Sequence, residues 1–134
     1  MNKLKNYTKL FLLILLLLVS ACAASSDQQN IDMAKQSLAY IQEYHKSNNV
    51  FPSYDNFYKE FYLKKYPNEK SKDLHYTVDY RTNCNILDNC QVAWFSYGVK
   101  GYSDKAIGKK CGSDSGFGFQ YKYCINPEYL GVTR

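Results

Sequence analysis

The sequence predicts an α+β fold: an N-terminal amphipathic helix packed on a small antiparallel β-sheet of about three to four strands, stapled by disulfides. Three observations carry the prediction. Between residues 31 and 47, apolar side chains return at steps of three and four, the spacing of one helix face. Beyond residue 74 the period changes to two, as in strands with one buried face. Cys84, Cys90, Cys111 and Cys124 all fall in this second half. Helices first and strands after is the order of an α+β domain.

At the N-terminus, Lys3, Lys5 and Lys9 precede an apolar run from Leu10 to Val19, ended by Ser20, Ala21 and Cys22. A basic flank, a short apolar core and small residues are the parts of a secretory signal. The run is too short for a stable bilayer span, which needs ~20 apolar residues. Val19-Ser20-Ala21-Cys22 resembles the lipobox of bacterial lipoproteins. The resemblance implies removal of residues 1–21, a fatty acid such as palmitate on Cys22, and a membrane partner reached through that lipid. Residues 22–30 are then a lipidated tether and 31–134 a single globular domain. Ala23 stands where many Gram-negative lipoproteins held in the inner membrane carry Asp. By that rule the protein sits in the outer membrane, facing the periplasm or the cell surface. Ordinary signal cleavage near Ala24 is the alternative and would leave a soluble exported protein.

Ser26 and Gln29 have the spacing of a capping box. After them Ile31, Ala34, Leu38, Ile41 and His45 form the stripe, which Met33, Tyr40 and Tyr44 widen. Lys35, Gln36, Gln42, Glu43 and Lys46 face away, so the helix must dock on something. The expected target is the sheet around Trp94 or Phe95. Asn48-Asn49 stops the helix, since Asn tolerates the left-handed conformation, and Pro52 confirms the break. A second helix is expected from Tyr54 to Tyr66, ended by Pro67, with a charged loop from Asn68 to Asp73. Leu74, Tyr76, Val78 and Tyr80 alternate as a half-buried strand. Residues 91–99 are apolar on both faces, which suggests a central strand. Phe117, Phe119, Tyr121 and Tyr123 alternate as a third. A meander is expected, with Gly101 to Lys110 as a basic loop.

The chain carries a net charge of +5 and a pI near 8.9. Removing the three signal lysines lowers the charge to +2, so it is no argument for specific nucleic-acid binding. Lys100, Lys105, Lys109 and Lys110 could form an anion-binding loop; a solvated turn is the plainer reading. Four cysteines in an exported chain read as disulfides. Three pairings are possible, and the sequential one, Cys84–Cys90 with Cys111–Cys124, is favoured. No pair has C-x-x-C spacing, and His45 and His75 lie upstream, so no metal and no cofactor are expected. Gly112-Ser113-Asp114-Ser115-Gly116 echoes the loop around a serine-protease nucleophile. No histidine stands in a matching context, and a turn is the better reading. With no catalytic carboxylate pair, phosphate loop or free nucleophile, an enzyme is not expected.

Residues 31–57 resemble the exposed half of the long helix in type IV pilins and type II secretion pseudopilins, with the turn that follows it. Ala34, Leu38, Ile41 and Tyr44, then Asn48-Asn49-Val50-Phe51-Pro52-Ser53, carry the resemblance. It implies a small antiparallel sheet after the helix and a disulfide near the C-terminus, as Cys111–Cys124 would be. The Gly-Phe cleavage site, the Glu after it and the long apolar stalk of that family are absent. The resemblance therefore implies a pilin-like head on a lipid anchor, not a fibre subunit. The expected function is a non-enzymatic envelope lipoprotein with an envelope protein partner, as an accessory part of a pilus or secretion apparatus. The alternative is an inhibitor or immunity lipoprotein that blocks an incoming enzyme or toxin. A small cell-wall hydrolase would be a third class, but it lacks a candidate site.

Overall fold

A computed structural model of the chain describes residues 27–71, 76–84, 89–114 and 118–131. The signal, the lipobox with Cys22 and the Ser26 cap lie outside the described residues. So do 72–75, 85–88, 115–117 and 132–134, which include His75, part of the cysteine-bounded turn and Phe117.

The first helix occupies residues 27–48. Residues 27–30, read from the sequence as the end of a tether, are helical. Asp27 explains why they are held: its carboxylate accepts the backbone N–H groups of Lys100 and Gly101, each at 2.8 Å. The helix closes as expected. Asn49 is left-handed (φ 56°), and its N–H donates to the His45 carbonyl at 2.8 Å. The Asn48 side chain donates to the Tyr44 carbonyl at 2.9 Å.

A second helix spans residues 54–65, most of it wound as a π-helix over Asn56–Tyr62 before an α-turn at Leu63–Lys65. Phe57, Tyr58 and Tyr62 are buried on it. Pro67 ends it and opens a 3-10 turn, Pro67–Ser71. Within the stretch read as a charged loop, Glu69 is buried. Its carboxylate accepts the Tyr62 hydroxyl at 3.0 Å, the Thr77 N–H at 2.8 Å and the Thr77 hydroxyl at 3.3 Å. A buried carboxylate supplied with donors in this way ties the turn to the start of the sheet.

Four antiparallel strands follow: β1 (Val78–Thr82), β2 (Ala93–Val99), β3 (Lys109–Asp114) and β4 (Phe119–Ile125). Their order is β1-β2-β4-β3, not the expected meander. The chain after β2 skips one position, and β4 returns into the gap. The basic stretch ending at Lys110 and the glycine-serine stretch after Cys111, read as a loop and a turn, supply β3. This segment carries little strand signal because it is an edge strand with lysines, glycine and register shifts in place of apolar alternation.

Register sorts the side chains by face. Val78, Tyr80, Phe95, Tyr97, Val99, Tyr123 and Ile125 point one way and join Ile31, Ala34, Ile41, Phe51, Phe57 and Tyr62 in one core. Phe95 is 2% exposed while its neighbour Trp94 is 47% exposed, so the helices cover the Phe95 face and leave most of the Trp94 face open. Ala34, Ser37 and Ile41 lie at the centre of the helix contact, each fully buried, with Leu38 beside it and partly buried. Two small residues there allow a close approach. Cys84–Cys90 spans the β1–β2 connection and Cys111–Cys124 joins β3 to β4, with Cα separations of 5.2 and 5.7 Å. These fall inside the usual ~4.4–6.8 Å window. The Cys90 carbonyl also accepts the Phe51 N–H at 2.8 Å, tying the turn after the first helix to the sheet.

Candidate functional site

The uncovered face of the sheet is the candidate site. Alternation places Asp79, Ser96, Cys124 and Lys109 in one cross-strand row on it. Arg81 and Trp94 form the next row on one side, and Gly98, Lys122 and Gly112 the row on the other. Over the β1 end stand rings from the second helix and from Tyr76, two residues before β1. Tyr54 and Tyr58 are 4.5 Å apart between centroids, and Tyr58 and Tyr76 are 4.9 Å apart. On the other side Phe119 lies over Gly98, where a Cβ would come within 2.5 Å of its ring. Gly98 is needed for that close approach.

These walls enclose a half-open hollow of about 430 Å³, with Asp79, Arg81, Ser96 and Lys122 supplying its polar lining. The volume lies within the ~300–1,000 Å³ usual for small-molecule sites. Arg81 grips Asp79 with two nitrogens, Nε at 3.1 Å and Nη2 at 3.0 Å, and Lys122 Nζ lies 3.8 Å from the same carboxylate. One carboxylate thus serves two cations, and the lining keeps a net positive charge. Tyr58 is fixed at the rim: its hydroxyl donates to the Val78 carbonyl at 3.1 Å and accepts the Tyr80 N–H at 2.8 Å. Burial pushes the ionisation of Tyr58 up, opposed by the Tyr80 N–H and reinforced by Asp79. Burial, then Tyr76, Asp79 and Asp55, also raise Tyr54. Both phenols are therefore neutral donors near neutral pH.

The hollow offers aromatic faces, hydroxyls, a carboxylate and two cations. Among the described residues, neither histidine nor cysteine lines it. The sequence-level candidates lie elsewhere. Cys22 is outside the described residues. The four lysines of the basic stretch do not form one cluster. Lys109 faces the open side with Cys124, whereas Lys110 points the other way and lies 4.4 Å over the Tyr121 ring. Lys100 and Lys105 are exposed in the connection before β3. His45 stacks on Phe51 at 4.1 Å and packs against Gly131, the expected place for a packed histidine. Gly112 to Asp114, in the protease-like stretch, belong to β3. Among the described residues no cluster of three metal-binding side chains occurs, and no helix is long and apolar enough to cross a membrane.

The hollow was not anticipated from the sequence. Its available signals were Tyr54 and Tyr58 four residues apart, and Asp79 and Arg81 on the polar side of a strand. No protein-family model, curated protein or solved structure matches the chain.

Proposed function

We propose that this protein is a lipid-anchored envelope component whose α+β domain is a non-enzymatic binding module, an accessory part of a pilus or secretion apparatus. The observation that carries the reading is the uncovered sheet face with its aromatic, cationic hollow, which presents recognition groups. The anchor rests on the lipobox at Val19 to Cys22. The pilin-like comparison is supported by a helix that ends at a left-handed Asn49, continues through Phe51-Pro52 and lies across an antiparallel sheet. The helix over 27–48 weighs against the inhibitor alternative in its lysozyme-inhibitor form, because those lipoproteins are mostly all-β.

Two measurements on cells making the full chain test the proposal. The parent should incorporate a palmitate analogue and Cys22→Ser should not; equal labelling refutes the anchor. A photo-crosslinking side chain at Tyr54 should give a discrete adduct, while the same group at exposed Glu43 should give none. Equal adducts at both positions refute the sheet face as the binding surface.

A further inference from the structure

We infer that the hollow takes a saccharide chain bearing acidic groups. The inference rests on the proposal that the sheet face is the binding surface, and it names the ligand. Strand addition at this rim is closed, because the Tyr58 hydroxyl already occupies the Val78 carbonyl and the Tyr80 N–H on the open edge of β1. An acyl chain would need an enclosed apolar slot, but the lining mixes Asp79, Arg81, Ser96 and Lys122 with the rings. A sugar ring has the complementary surface. Its C–H faces lie flat on aromatic rings, and here Tyr54, Tyr76 and Phe119 form the walls. Its hydroxyls need paired donors and acceptors, which Asp79, Ser96 and the neutral Tyr54 phenol supply.

Charge selects among saccharides. Arg81 and Lys122 flank the single carboxylate of Asp79, and Lys122 is held only loosely, at 3.8 Å. Lys122 can turn to a ligand carboxylate while Arg81 keeps Asp79 in place. A charge-assisted hydrogen bond of this kind contributes more than a neutral one. Lys109 on the same face extends the positive surface beyond the hollow.

Trp94 is the only tryptophan in the chain and lies opposite Arg81 on this face, so its fluorescence reports occupancy. Full-length protein in detergent would be titrated with a short oligogalacturonate and with the neutral galactose oligomer of equal length. The acidic oligomer should bind more tightly, with affinity falling as salt rises. Lys122→Gln should weaken the acidic oligomer on the order of tenfold and the neutral one by much less. Tyr54→Ser should weaken both. The thermal midpoint of each variant should match the parent, since both side chains are partly exposed. Equal affinity for the two oligomers, an unaltered Lys122→Gln variant, or a response only to vesicles of anionic phospholipid overturns the inference. If the Tyr54 crosslink yields a protein adduct while neither oligomer binds, the ligand assignment fails and the binding-module proposal stands.

Discussion

Alkaline pH should unfold this domain through its buried tyrosines. Tyr58, Tyr62, Tyr80 and Tyr97 are each less than 5% exposed. Burial raises the ionisation of Tyr58 and Tyr80, and burial with Glu69 raises Tyr62. Tyr97 is pushed up to about 12 by burial, opposed by the Ile107 N–H. In the unfolded chain a tyrosine loses its proton near pH 10. A folded-state value raised above that level contributes stability that is complete below about pH 10 and is lost as pH rises towards the folded value. Each such tyrosine costs ~1.4 kcal/mol per pH unit above 10. At about pH 11 the four together cost roughly 5–6 kcal/mol, comparable to the lower end of total domain stability, ~5–15 kcal/mol. Urea denaturation between about pH 8 and pH 11, followed together with tyrosinate absorbance, tests this. Stability should be flat to about pH 9.5 and then fall steeply, with a cooperative block of tyrosinate appearing at the unfolding transition. Tyr80→Phe, which removes the hydroxyl bonded to the Pro52 carbonyl at 2.8 Å, should lower the slope by ~1.4 kcal/mol per pH unit. A stability independent of pH up to 11, or gradual ionisation of all tyrosines with tertiary structure intact, would refute the reasoning.

Three further outcomes follow from packing and crosslinks. Ile41→Ala, at a fully buried site, should lose about 2–5 kcal/mol, and half-buried Leu38→Ala measurably less, in chemical denaturation. Gln42→Ala should cost about 0.5–1.5 kcal/mol, because Gln42 donates to the Tyr129 carbonyl; its position on the exposed helix face hides that role in the sequence. Cys111→Ser should cost about 3 kcal/mol and Cys84→Ser about 2.4 kcal/mol by loop entropy alone, given sequence separations of 13 and 6. Equal losses, or none, in non-reducing denaturation would contradict that ordering. Gly98→Ala should displace Phe119 and destabilise by about 1–3 kcal/mol, with near-ultraviolet dichroism reporting the moved ring.

What was legible in the sequence is what local chemistry dictates. The stripe from Ile31 to His45, the Asn48-Asn49 stop, the Pro67 break and the central, doubly apolar strand at 93–99 all have short-range causes. The favoured cysteine pairing also stands, because each pair brackets a connection that the sheet closes. Other features depended on distant partners. Asp27 reads as tether until the amides of Lys100 and Gly101 are brought to it. Glu69 reads as solvent-facing until Tyr62 and Thr77 surround it. β3 has little strand signal of its own and is defined by β4. The hollow draws on residues from 54 to 122, and no window along the chain contains it.

How the two sheet edges are finished bears on how a partner can engage. The two outer strands of a sheet are where another chain could add a strand. On the β1 side, Tyr58 fills the Val78 and Tyr80 positions, and the Glu69 carboxylate takes the Thr77 N–H. Displacing them would expose a buried phenol and a buried carboxylate, each costing more than a typical strand hydrogen bond returns. On the β3 side, Lys109 and Lys110 and two register shifts interrupt the regular ladder a second strand would need. Edge-to-edge growth is therefore disfavoured at both ends. The Trp94 and Tyr54 face has no comparable protection: its rings are 47% and 44% exposed, and Lys122 is loosely paired. If the domain binds as proposed, the sheet face and not an edge is the surface these two edges leave open.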